Sequence, residues 1–305
     1  NSKEWKKTES LLLASAATAS RKPEALVDRI REKTFQSGLA FLKNISKNDL
    51  IKLTHKEKWY RLIKIDKKSN KQTDFGWACI EVLEGPMGLV SGKKRPINWT
   101  KTENQKGLLV IAKSRRLIDE TKQTYLNEEG RFWVSLDLEE EFWSTSSALE
   151  QGPLKRTEIE TGVRGRRSIG NSTSTLHVSK IETYSNKNDA FEWPVPKVYL
   201  SQSLTWIMGP LFHLKEADSG TYRWHCYDAS TGLPQVLPKT DTWEITKTGF
   251  ILKSQAYDDR PMTELYYDKS GKLIRQIINE STILIPSSYE SIKKMWSKNN
   301  LLFAN

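Results

Sequence analysis

Glu264-Leu265-Tyr266-Tyr267-Asp268-Lys269-Ser270-Gly271-Lys272-Leu273-Ile274-Arg275 is the stretch that decides the fold class. On either side of Asp268 to Gly271, apolar and polar residues swap sides with the period of a half-buried antiparallel strand. The residues between the two runs are turn formers, and the glycine accepts the positive φ that a tight hairpin needs. The stretch predicts a curved antiparallel sheet. It names no reaction.

The same alternation recurs upstream. Gly220 to Tyr227, Asp241 to Thr246 and Gly249 to Tyr257 read as strands leading into this hairpin. Far earlier, Trp59 to Asp66 and Phe75 to Val82 flank a polar turn and read as another hairpin. Gly107 to Ser114 and Leu117 to Leu126 follow on either side of Arg115-Arg116. Asn127-Glu128-Glu129-Gly130 reads as a turn before the alternating run Arg131 to Leu138. Residues 150 to 175, rich in Gly, Arg, Ser and Thr, read as a loop or long hairpin tip. Glu192 to Leu200 is extended, as residues before proline tend to be.

Helical signals sit before each block of strands. Glu24 to Ile45, entered through Pro23, places Val27, Ile30, Leu42 and Ile45 on one side. Ser46 to Asp49 is an N-cap cluster ahead of a helical turn at Leu50 to Leu53. Ser203 to Leu214 reads as a short helix notched by Gly209-Pro210, and Tyr289 to Trp296 as a C-terminal one. Each block then opens on Tyr-Arg-x-x-x-x-Asp: Tyr60-Arg61 with Asp66, and Tyr222-Arg223 with Asp228. The expected fold is a β-dominated α+β protein of two curved antiparallel sheets, or half-barrels, each with a preceding helix. The division expected is a helical extension over 1–57, a first β unit over 58–200 and a second over 201–305.

Composition bounds the function. Of 305 residues, 37% are hydrophobic and 28% charged, and 11 Trp, 10 Tyr and 9 Phe supply ample surface to bury. No run approaches the roughly 18 apolar residues that a membrane span needs, so no transmembrane segment is expected. The chain begins with Asn1 rather than Met and reads as a processed or trimmed product. Leu11 to Ala17 reads as a short amphipathic helix rather than a signal core. The net charge of +11 invites an anionic partner, such as an acidic polymer or a lipid surface. The lysines are scattered, however, whereas nucleic-acid modules gather charge on one face; nucleic acid is not the expected partner. Cys79 and Cys226 lack CxxC spacing and read as buried free thiols on strands, or else as a pair joined across the chain in an oxidising compartment.

The block from Tyr222 to Ile278 resembles the half-barrel repeat of exported bacterial proteins related to the LolA/LolB lipoprotein carriers and to the DUF3108 type. The residues that carry the resemblance are Tyr227-Asp228-Ala229-Ser230-Thr231-Gly232-Leu233-Pro234, Trp243-Glu244-Ile245, Gly249-Phe250 and Tyr266 to Arg275. It covers about a fifth of the chain. It implies a curved sheet wrapping a helix, a periplasmic or other extracytoplasmic location, and a concave face that holds lipid-like ligands. It brings no catalytic residues.

A search for chemistry gives little. His55, His177, His213 and His225 lie far apart, with no metal spacing, and no cofactor or metal is expected. Glu139-Glu140-Glu141 is a consecutive acidic run whose members alternate faces, which suits solvation better than acid-base work. There is no nucleophile elbow, P-loop or GxGxxG. Arg164, Arg166 and Arg167, around Gly162 and Gly165, are candidate anion-binding residues through bidentate guanidinium contacts. Trp77, Trp133, Trp224, Trp243 and Tyr222, on or beside strands, are candidate ligand-binding residues for a concave face, or else they fill the core. The expected function is a non-enzymatic, extracytoplasmic binding or carrier protein for a hydrophobic or lipid-like ligand. The alternative is a structural or interaction protein of an exported assembly, binding an anionic polymer through its basic surface.

Overall fold

The computed structural model describes residues 24–66, 68–91, 100–165, 174–185, 187–229, 234–257, 260–279 and 281–298. The Leu11 to Ala17 stretch, Arg166, Arg167 and the side chains of Val27 and Ile30 lie outside the described residues. Two helices, α1 (Glu24–Lys43) and α2 (Lys47–Lys52), precede eight strands. These are β1 (His55–Ile65), β2 (Gln72–Pro86), β3 (Lys106–Asp119), β4 (Thr124–Ser135), β5 (Glu141–Gln151), β6 (Leu154–Arg164), β7 (Thr175–Glu182) and β8 (Lys187–Pro194). Two short helices follow, α3 (Gln202–Thr205) and α4 (Met208–Leu214). Then come β9 (Gly220–Asp228), β10 (Gln235–Ile245), β11 (Gly249–Gln255), β12 (Thr263–Asp268), β13 (Leu273–Asn279), β14 (Thr282–Ser287) and the helix α5 (Tyr289–Lys298).

The two expected sheets are one. The fourteen strands pair in the order β8-β7-β6-β5-β4-β3-β2-β1-β14-β13-β12-β11-β10-β9. Each meander is local, and β14 joins them by pairing antiparallel with β1 from Trp59↔Ser287 to Lys64↔Thr282. The physical reason lies in β14. Thr282-Ile283-Leu284-Ile285-Pro286-Ser287 is short and ends in turn-like residues, so its own pattern is weak. Its long-range partner gives it a place, and no local periodicity reports such a partner. Each meander does follow helical segments, α1–α2 before β1 and α3–α4 before β9.

The sheet curls around α3 and α4. Leu204, Ile207, Met208, Leu211 and Phe212 are buried against inward-facing residues of both arms, among them Leu108, Val110, Phe132, Trp143, Trp224 and Trp243. The two edges approach one another: the ring of Tyr227 on β9 lies 5.0 Å from Trp143 and 5.9 Å from Trp193 on β8. The chain leaving β8 crosses between them. Val195 N–H donates to Ser174 O, His225 N–H to Val198 O and Leu200 N–H to His225 O, each at 2.8 Å. These bonds give one parallel bridge, Tyr199↔His225, instead of a closing ladder.

An open sheet edge is a template for unwanted pairing, and here α1 covers β9. Phe41 packs on Phe212 at 4.6 Å, and Phe35 stacks on His225 at 4.8 Å. A Cβ at Gly38 would stand 2.3 Å from the Arg223 carbonyl oxygen, so only glycine lets the helix lie this close to the strand. On the outer face of the sheet, α5 covers Trp77, Cys79 and Tyr125 with Ile292 and Trp296. A 3-10 turn at Met87–Ser91 covers Leu109 and Trp133.

Other local expectations fare unevenly. The Asp268 to Gly271 hairpin forms, with Gly271 at φ 75° and Asp268 Oδ1 accepting from Ser270 N at 2.8 Å and Lys272 N at 3.0 Å. Ser46 caps α2 reciprocally with Asp49, as its spacing indicates. Asn127 to Gly130, expected as a turn, lies inside β4, and the true turn sits where a strand over Leu117 to Leu126 was expected. Cross-strand partners explain it. Glu128 accepts from Arg116 at 2.8 Å and Ser114 at 2.9 Å, and Asn127 accepts from Arg115, so a polar run is satisfied within a sheet. The helix break falls at Trp206–Ile207 rather than at Gly209-Pro210, because Pro210 occupies the first turn of α4, where its missing N–H costs nothing.

Candidate functional site

The helical filling occupies only part of the interior. Between α3–α4 and the inward faces of β1, β2 and β12–β14 lies an open cavity of about 970 Å³. Its volume is at the upper end of the roughly 300–1,000 Å³ common for small-molecule sites. One wall is Tyr60, Leu62, Ala78, Ile80, Leu265, Tyr267, Leu273, Ile278 and Leu284. The opposite wall is Thr205, Trp206, Ile207 and Pro210. Strand alternation builds the first wall. Tyr60 and Leu62 on β1 share a face with their cross-strand partners Ala78 on β2 and Leu284 on β14. Ala78 is the one small residue on this wall.

Two aromatic side chains that line this space are partly exposed. Trp206 is 42% exposed although its ring lies 5.6 Å from Phe132, and Tyr289 is 37% exposed beside Trp59. All of these residues line the cavity except Phe132.

The polar lining falls into two groups at opposite ends of the strands. Near Leu62, Arg116 and Glu128 form an ion pair at 2.8 Å, with Ser114 donating to the same carboxylate at 2.9 Å. That end is internally neutralised. At the end where β1 begins, Lys58 and Lys272 line the rim with His55, Glu57 and Ser288. Both lysines keep contact with solvent. Partial burial, and then the charge of Lys272, hold the Lys58 ammonium below the usual lysine range. Burial also lowers the His55 imidazole, whose Nδ1 lies 2.7 Å from Lys56 O. The Tyr60 phenol is pushed up to about 12 and that of Tyr267 is raised further in the same direction, both chiefly by burial, so both stay neutral in the physiological range.

The cavity therefore offers apolar area, neutral hydroxyls and a cationic rim. The thiols do not add a nucleophile: Cys79 and Cys226 are free and buried, and burial raises each to about 12. Among the described residues, no three His, Cys, Asp or Glu side chains gather in a way that would hold a metal ion. Among them, too, no helix is long and apolar enough to cross a membrane.

None of the five aromatic residues proposed from the sequence lines this cavity. Trp77 lies on the outer face beneath α5, tilted on Trp59 at 5.3 Å. Trp133, also outward, donates its Nε1–H to Gly85 O at 3.2 Å. Trp224 is fully buried and donates to Asp241 Oδ2 at 2.9 Å. Trp243 packs between Phe212 at 5.4 Å and Phe250 at 5.1 Å. Tyr222 lies 4.7 Å from Phe212 and donates to Asp218 O at 3.0 Å. Together the last three form the filled part of the interior.

Of the proposed anion-binding arginines, Arg164 is buried. Its guanidinium donates to Leu138 O at 2.8 Å and lies over the Tyr199 ring at 5.3 Å. It faces Glu141, a fully buried carboxylate that accepts from Tyr199 Oη at 2.7 Å and whose pKa burial raises. This cluster ties the start of β5 to the segment entering α3. It is a structural latch with no face toward solvent.

Lys58 and Lys272 are the site residues that sequence reasoning passed over. A signal for one existed. Lys58 is in phase with Tyr60 and Leu62, so the alternation that buries those two brings a charged residue to the same face.

No family model matches the chain, and no curated protein does. Among solved structures, the chain is similar to a beta-barrel-like protein of a domain of unknown function, DUF1849, from Brucella abortus. That similarity has a TM-score of 0.47 at 12% identity and covers 76% of this chain and 97% of the other.

Proposed function

We propose that this protein is a non-enzymatic binding or carrier protein that takes a hydrophobic or lipid-like ligand into the cavity between α3–α4 and the central strands. The observation that carries the reading is the cavity itself: about 970 Å³, largely apolar, open to solvent, and faced by a tryptophan that is 42% exposed. Exposed aromatic area inside a concavity is costly in water, and a ligand that covers it gains roughly 25 cal/mol per Å² of apolar surface removed from solvent. An extracytoplasmic location belongs to the same reading, supported by the likeness of the Tyr222 to Ile278 block to LolA/LolB-like carriers.

Titration with the neutral, apolar fluorophore N-phenyl-1-naphthylamine tests it. Saturable binding of one molecule per chain is expected, with tryptophan emission quenched through Trp206. Ala78→Phe, which places a ring on the cavity wall, is expected to abolish the binding while the melting transition stays cooperative. Absence of saturable binding to the unaltered protein contradicts the proposal.

A further inference from the structure

The two ends of the cavity differ in a way that selects among apolar ligands. At one end the guanidinium of Arg116 is matched by Glu128. At the other, Lys58 comes from β1 and Lys272 from the turn that enters β13, and the β1–β14 pairing brings them together. Trp59 pairs with Ser287, so Lys58 stands level with the residues just after β14, and Lys272 immediately precedes β13, which pairs with β14. Among the described residues neither ammonium takes part in an ion pair. Their mutual repulsion is felt at Lys58.

The nearby carboxylates do not cancel this pair. Asp268 accepts from Ser270 N, Ser270 Oγ and Lys272 N within its own turn; it feels the Lys272 charge and offsets it in part, but it does not line the cavity. Glu57 lines the rim as a single carboxylate against two ammoniums, and its charge is felt at Cys79 on the outer face. His55 is held toward its neutral form.

Resting on the binding reading above, we infer that Lys58 and Lys272 hold the anionic head group of a single-chain amphiphile, whose hydrocarbon tail lies along the apolar wall toward Trp206. An anion placed between the two ammoniums removes their repulsion and gains charge-assisted hydrogen bonds, while the tail covers the aromatic area. The rim position lets the head group stay partly hydrated, so the charges are recognised without being buried unpaired. The neutralised end near Arg116 offers no comparable site, which fixes the orientation of the ligand.

Displacement of N-phenyl-1-naphthylamine by dodecanoate and by 1-dodecanol separates this inference from the cavity reading. The unaltered protein is expected to prefer the carboxylate by about tenfold, the worth of one charge-assisted hydrogen bond. That preference should shrink as salt is raised, because the rim is exposed. The double variant Lys58→Gln/Lys272→Gln is expected to lose the preference and keep its affinity for the alcohol. Lys58→Arg/Lys272→Arg is expected to restore the preference. Equal binding of acid and alcohol by the unaltered protein, or a preference that survives the glutamine variant, overturns the head-group assignment and leaves the cavity reading standing. Failure of both ligands to displace the fluorophore overturns it as well. Failure of the fluorophore to bind at all overturns both readings.

Discussion

The interior of this sheet has a filled half and a hollow half, built on different strands by the same alternation. Where β9–β11 meet α1 and α4, the inward residues are Tyr222, Trp224, Trp243, Phe250, Phe41 and Phe212, and their rings lie 4.6–6.2 Å apart. Where β1, β2 and β13–β14 face α3, the inward residues include Ala78, Leu273, Leu284 and Ile278, and a cavity of about 970 Å³ remains. Strand geometry dictates which residues point inward in both halves. Side-chain size and the reach of α3 and α4 together decide whether the space closes. Three of the aromatic residues that looked like ligand platforms, Tyr222, Trp224 and Trp243, are among those that close it.

The comparison can be broken most forcefully at Trp224. Trp224→Ala is expected to destabilise the fold by about 3–5 kcal/mol, since it opens a void in packed surroundings and removes the indole N–H from the fully buried Asp241. Trp206→Ala, an equally large truncation, is expected to cost about 1 kcal/mol or less because the ring already borders open space. Paired urea denaturation of the two variants checks this. Similar losses at both positions would erase the distinction between the halves.

A smaller effect is expected where α1 seals the filled half. Gly38→Ala drives a methyl against the Arg223 carbonyl and the Trp224 ring, and overpacking of this kind costs about 1–3 kcal/mol. Amide exchange of β9 should rise in this variant while that of β3 and β4 is unchanged. Protection that stays uniform would mean that α1 does not guard the β9 edge.

Smaller again is the cap of α2. Ser46→Ala is expected to lower stability by about 1 kcal/mol. Asp49, its reciprocal partner, is held down to about 2, first by the Ser46 backbone N–H and also by Lys215. Its folded value is depressed, so its contribution is present above the ordinary 3.8 and is lost as pH falls through about 2. Asp49→Asn should therefore flatten the acid limb of the stability profile. Glu141 behaves in the opposite sense. Burial raises its pKa, so its contribution is full below the ordinary 4.5 and declines as pH rises through the raised folded value. Glu141→Gln should remove that decline, as chemical denaturation along a pH series would show.

Much of this architecture could be read before the structure. The Tyr266 to Arg275 alternation, the Gly271 turn, the Ser46 cap and the helix ahead of each meander are local signals, and local signals reach the sequence directly. The joining of the meanders does not, because β14 depends on a partner more than two hundred residues away along the chain. Nor does the register within β3–β4, where a hydrogen bond from Arg115 to Asn127 and an ion pair of Arg116 with Glu128 let both residues sit in mid-strand. For the site, alternation gives the inward face but not the volume left over, which depends on how far α3 and α4 reach. That is why Trp224 and Trp206 could not be told apart as packing and lining residues, and why Arg164 could pass for an exposed charge.

On the proposed reading, the hollow half holds a ligand. Native mass spectrometry of the protein purified gently from its own host tests it most directly. The expected result is the protein mass plus one small amphiphile, with that added mass vanishing in the Ala78→Phe variant. The bare chain mass in every preparation, with no adduct under the mildest ionisation, would contradict it.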